Sequence, residues 1–131
     1  MKRSGRYDVS GSIEAQFEPG SRGRVLRNLP GITRVREMNR VETIALQSAM
    51  DGFFRRYDED HRFTAHDIQQ MHLAWLGGIY AWAGNYRIVN ISKGDFMFAA
   101  ARRVPALMLE LQKKVLARCT PCRFPDRGMC Q

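Results

Sequence analysis

Three cysteines, three histidines and one Lys-Gly turn are the residues whose types and spacing could support chemistry. The cysteines are Cys119, Cys122 and Cys130, and Cys119-Thr-Pro-Cys122 has CxxC spacing. A structural zinc site needs a second Cys or His pair at matching spacing, and the sequence has none. A thioredoxin-like pair would open a helix after a strand, whereas this one follows a helical pattern. No metal site is therefore assigned, and reduced thiols are expected. The histidines are His61, His66 and His72. His72 falls on an apolar helical stripe and reads as a core histidine with one satisfied nitrogen. His66 falls in a first helical turn and should face solvent. Lys93-Gly94 combines a cation with a residue that lets a backbone approach closely, and it has the composition of an ordinary hairpin turn.

These residues need elements to hold them. The chain has 131 residues, 44% of them apolar, which suits one domain with a modest core. Its 21 Lys and Arg stand against 13 acids, a net charge of +8. Such a charge favours anionic partners, but a solvated basic surface explains it as well. No Arg-rich helix face interleaved with aromatics is present, so nucleic-acid binding ranks last among the functions weighed. No apolar run could span a bilayer, and MKRSGRYDVSGS lacks the apolar core of a secretory signal. No membrane association and a cytoplasmic address are expected.

Residues 1–37 are rich in Gly, Ser, Arg and Pro and read as an extended arm, with Tyr7, Ile13 and Phe17 as anchors. A helix is expected from about Glu37 to Arg56, with Val41, Ile44, Ala45, Ala49, Gly52 and Phe53 on one face. Thr64 and Asp67 predict a capping box opening a second helix. That helix carries Ile68, Met71, His72, Trp75, Leu76 and Ile79 on one stripe and should end before Gly84-Asn85. Trp75 and Trp82 are assigned to the core. Tyr86–Ile91 reads as a strand, Ser92–Asp95 as a turn and Phe96–Phe98 as the returning strand. Arg87 either fixes the hairpin base or meets an acid. A third helix spans about Arg102 to Arg118, buries Val104, Leu107, Met108, Leu111 and Val115, and stops at Thr120-Pro121. The fold class is mainly α with one β-hairpin.

Several linked words carry a resemblance. Phe63-Thr64-Ala65 with Ile68 comes first. Ile79-Tyr80, Trp82-Ala83-Gly84 and Tyr86-Arg87 follow. Val89-Asn90-Ile91-Ser92-Lys93-Gly94 with Phe96, Phe98 and Ala99 completes the central run. Together they resemble the N-terminal half of a Fic (Fido) domain. Arg103-Val104-Pro105 through Leu111 is similar to the helix after that family's flap, and Tyr7-Asp8 through Gly20-Ser21 to the leader of a bacterial subgroup. On this resemblance, 38–122 is a partial Fic-like domain, 1–37 its arm and 123–131 an irregular tail.

The resemblance implies an adenylyltransferase that moves AMP from ATP, with Mg2+, onto a hydroxyl of a target protein. Lys93 and Gly94 would meet the nucleotide. Ile91 and Ser92 would border the edge on which an extended target segment adds as a strand. Family catalysis rests on HPFxxGNGR, whose His is the general base. That motif is absent here, so no catalytic residue is assigned and a truncated, inactive chain of marginal stability is expected. A family inhibitory motif, S/T-x-x-x-E-G/N, is approached by Ser10–Glu14 and Thr33–Glu37. Each fails at its sixth position, so inhibition would fall to a small antitoxin-like partner. The alternative is a non-catalytic module that uses the flap to capture a partner strand.

Overall fold

A computed structural model describes residues 16–121 of the chain. Tyr7, Ile13, the Ser10–Glu14 match, Cys122, Cys130 and the 123–131 tail lie outside the described residues. The fold is mainly α with one two-stranded antiparallel sheet. Helix α1 is Val35–Arg56 and α2 is Ala65–Leu76. Strands β1 (Ser92–Lys93) and β2 (Phe96–Met97) form the hairpin. A 3-10 turn at Ala101–Arg103 leads into α3, Val104–Leu111. A π-helical segment, Gln112–Leu116, and a last turn α4, Ala117–Cys119, continue from it.

Helix α2 starts where the sequence predicts. The Thr64 hydroxyl accepts from the Asp67 amide at 3.1 Å, and Asp67 Oδ2 accepts from the Thr64 amide at 3.0 Å. Two orphan amides of the first turn are satisfied reciprocally. A third, on Ala65, donates to Gln112 Oε1 at 2.8 Å, which ties α2 to the π-helical segment. Arg62 donates from Nη1 to the carbonyls of Ala117 and Thr120 at 2.6 and 3.2 Å. A guanidinium at a helix C-terminus satisfies orphan carbonyls and complements the dipole.

Helix α2 ends earlier than predicted, at Leu76, with Gly77 as its cap. Two adjacent glycines, Gly77 and Gly78, weaken helix continuation there. Tight turns follow, in which the Ile79 and Tyr80 amides both donate to the Leu76 carbonyl at 2.9 Å. These turns bury Ile79, Tyr80 and Ala83, which join Leu76 and Met38 at the centre of the core.

The segment 16–34 contributes to that core. Val25 and Ile32 are buried in it. Asn28 organises the local chain: its Nδ2 donates to the Leu26 and Ile32 carbonyls at 2.9 Å, and its Oδ1 accepts from the Ile32 amide at 2.7 Å. The Leu29 amide donates to the Ile79 carbonyl at 2.7 Å, joining this segment to the turns after α2.

Helix α1 packs on α2. Met38 and Ala49 are buried on its inner face, and Val41, Ala45 and Phe53 are half-buried. Ile44 is not part of that face and stands 56% exposed. Leu46, Met50 and Phe54 form a second exposed apolar stripe at i, i+4 and i+8. The stripe expected on the third helix, which spans α3 and the π-helical segment, is only partly covered: Val104, Met108 and Leu111 are half-buried, while Leu107 and Val115 are exposed. Among the described residues no large side chain is fully buried. No helix among them is long and apolar enough to cross a membrane.

Candidate functional site

The hairpin differs from the predicted one in its register. Tyr86–Ile91 is irregular, and β1 begins at Ser92. The pairs are Ser92 with Met97 and Lys93 with Phe96, closed by a two-residue turn at Gly94-Asp95. Gly94 has φ +60° and Asp95 is not left-handed, the pattern of a type II′ turn with glycine at its first central position. The ladder gains one further bond, from the Phe98 amide to the Ile91 carbonyl at 3.2 Å. After Phe98 the chain bends toward the 3-10 turn, so residues 86–90 have no strand to pair with.

Side chains take over where the ladder stops. Arg87 Nη1 donates to the Val89 carbonyl at 2.8 Å, and Nη2 donates to the Ala99 carbonyl. Arg87 therefore fixes the hairpin base rather than meeting an acid. Asn90 Oδ1 accepts from the Ala101 amide at 2.8 Å. These two side chains clip both legs of the hairpin together, which a two-stranded sheet needs because it is marginal by itself in water. The role of Asn90 is not legible in the sequence. Its partner lies eleven residues away, and only an Asn just before a turn-flanked run hints at it.

Ile91, Ser92, Lys93 and Gly94 thus share one element. Ile91 and Ser92 are half-buried near its base, and Lys93 and Gly94 are exposed at its tip. In an antiparallel ladder the residues of a non-hydrogen-bonded pair aim their amide and carbonyl outward. Ile91–Phe98 is a hydrogen-bonded pair, so the next pair, Ser92–Met97, presents those groups to the two hairpin edges. Phe96 and Met97 are 62% and 68% exposed beside them.

Toward the ATP and Mg2+ that the resemblance implies, Lys93 and Gly94 offer one cation and one open backbone turn at the exposed hairpin tip. A Cβ built on Gly94 would meet nothing within 4 Å, so the turn is open on that side. Among the described residues no group of three or more His, Cys, Asp or Glu could hold a metal ion.

The histidines serve the scaffold. His72 is half-buried, and its Nδ1 accepts from the Gly84 amide at 2.9 Å, as its apolar position predicts. Burial pulls its pKa below the ordinary value. Gly84 is left-handed at φ +86°, as its pairing with Asn85 suggests, whereas Asn85 is not. His61 Nε2 lies 2.8 Å from Asp67 Oδ2 and packs between Tyr57 and Phe63. Burial raises the Asp67 carboxyl, but hydrogen bonds from His61 and Thr64 outweigh it and leave the pKa below the ordinary value. His66 is exposed, as predicted. Trp75 and Trp82 are half-buried against the core. Trp75 Nε1 donates to the Glu42 carbonyl at 2.9 Å, and Trp82 stacks on Tyr80 with centroids 4.6 Å apart. The Tyr80 hydroxyl donates to Glu42 Oε2 at 2.9 Å; burial and Glu42 hold its pKa well above the ordinary value.

One open cleft of about 350 Å3 lies at the hairpin base, lined by Ile88, Asn90, Ala100, Ala101 and Arg102. Compared with known proteins, the chain matches no family model and no curated sequence.

Proposed function

We propose that this chain captures an extended segment of a partner protein by strand addition along the hairpin edge at Ile91 and Ser92. The observation that carries the reading is a short hairpin held by Arg87 and Asn90, with the Ser92 amide and carbonyl turned outward. Backbone groups on a fixed edge supply affinity for an added strand, and neighbouring side chains supply selectivity. The resemblance to Fic domains supports the same edge and adds a class of partner, the target proteins of AMP transfer. A cytoplasmic setting and a small antitoxin-like inhibitor belong to the same proposal. AMP transfer itself is assigned to no residue of this chain, because its sequence has no HPFxxGNGR.

Two measurements test this. Ten-residue peptides selected from a random display library on the full chain should bind it, and Ser92→Pro should abolish binding. Proline removes the edge amide yet is tolerated at the first residue of a strand. Retained binding in that variant would overturn the proposal. Incubation with labelled ATP, Mg2+ and a cell lysate should leave proteins unlabelled; clear labelling would show that the chain transfers AMP after all.

A further inference from the structure

The geometry points to an acidic residue of the captured segment as the feature that the cleft at the hairpin base selects. This rests on the strand-capture reading and adds the chemistry of the partner. Asn90 Oδ1 already accepts from the Ala101 amide, and its Nδ2 donor pair remains for a ligand. Arg102 is among the residues that line the same cleft, which puts a guanidinium within reach of it. It is exposed, and the ion pairs among the described residues, His61–Asp67 and Lys114–Glu110, leave it out. Both polar side chains among the lining residues thus carry N–H donors, and no Asp or Glu is among those residues. A carboxylate accepts from a guanidinium in a bidentate fork, the geometry for which arginine is best suited.

The remaining wall is apolar. Ile88 is 72% exposed, and Ala100 and Ala101 complete the lining. Such a wall suits the methylenes of a Glu side chain or an aliphatic neighbour of an Asp. The net charge of +8 favours encounter with an acidic segment from a distance. The position of the acid is also constrained. Asn90 is two residues from Ser92, at most about 7 Å of extended chain. The acid therefore sits within two or three positions of the partner residue that faces Ser92.

The test compares peptides selected from the random library on the full-length wild type and on Arg102→Glu, with Ser92→Pro as the edge control. Wild-type peptides should share an Asp or Glu at one position, and its replacement by Gln or Asn should weaken binding about fivefold. On Arg102→Glu the same position should turn to Lys or Arg. Arg102→Gln should lose the acidic preference without acquiring a basic one. Peptides that depend on the Ser92 edge but show no acidic preference, or whose preference ignores Arg102, would overturn this inference and leave strand capture standing. Failure to select any peptide, or peptides indifferent to Ser92→Pro, would remove strand capture and this inference with it. Competition by single-stranded DNA that matches the peptides and depends on Arg102 would overturn the assignment to a protein segment.

Discussion

Arg87→Ala should loosen the hairpin without unfolding the domain. The side chain donates to the carbonyls of Val89 and Ala99, one on each leg of the hairpin base. A hydrogen bond from a charged donor contributes about 1.5–3 kcal/mol. Arg87 is only half-buried, and the Ala99 carbonyl, on an exposed residue, can turn to water. The two bonds together are therefore discounted to about 1–2.5 kcal/mol. That energy acts on a local opening, because the sheet has only two strands and the helical core does not depend on it. The opening population should rise roughly fivefold to sixtyfold, at about 1.4 kcal/mol per factor of ten. Amide hydrogen exchange reads this directly. The Phe98 amide, bonded to the Ile91 carbonyl, should exchange faster by that factor, while the Tyr80 and Gly77 amides keep their wild-type rates. Arg87→Lys keeps the charge but loses the fork, so it should resemble Arg87→Ala more than wild type. An unchanged Phe98 rate in both variants would refute the clamp.

Four further outcomes follow from the same geometry. Gly84→Ala should destabilise the fold by about 2–4 kcal/mol in urea unfolding, because the site is left-handed and the added Cβ would lie 2.8 Å from Leu73 Cβ. Gly94→Ala is also at positive φ but meets nothing within 4 Å, so it should cost about 1–2 kcal/mol, confined to hairpin exchange rates. Thr64→Ala removes the α2 cap and should lower stability by about 1 kcal/mol. For pH, the folded state holds the His72 pKa below its unfolded value of 6.5, so the unfolded chain binds more protons below that point. Stability from this residue is full above pH 6.5 and falls as pH drops toward the folded value. A pH series of unfolding midpoints should lose this slope in His72→Gln, whereas loss through Asp67 should begin only below its ordinary 3.8.

The features legible in the sequence are those set by neighbours a few positions apart. Thr64 and Asp67 are three residues apart, Pro105 fits only a first helical turn, and Thr120-Pro121 stops a helix. Each is found where local rules put it. The misreadings involve contacts that sequence spacing does not encode. Tyr86–Ile91 has strand composition, yet a two-residue turn at Gly94-Asp95 leaves β2 too short to pair with it. The stripe read over Val104–Val115 has helical period, yet Leu107 and Val115 are exposed. Periodicity identifies a candidate face without saying whether anything covers it. At the candidate site, Lys93, Gly94, Ile91 and Ser92 were readable as one hairpin. The cleft was not, since Ile88, Asn90 and Arg102 are brought together by long-range contacts such as the Asn90–Ala101 and Arg87–Ala99 bonds.

Strand capture at the Ser92 edge is tested most directly by amide resonances of the full chain during titration with a selected peptide. A captured strand accepts a hydrogen bond from the Ser92 amide, so that proton should shift downfield and its exchange should slow in step with occupancy. The Leu46, Met50 and Phe54 stripe of α1 should stay unperturbed. Perturbation of that stripe with an unchanged Ser92 amide would contradict the account and place the partner on α1 instead.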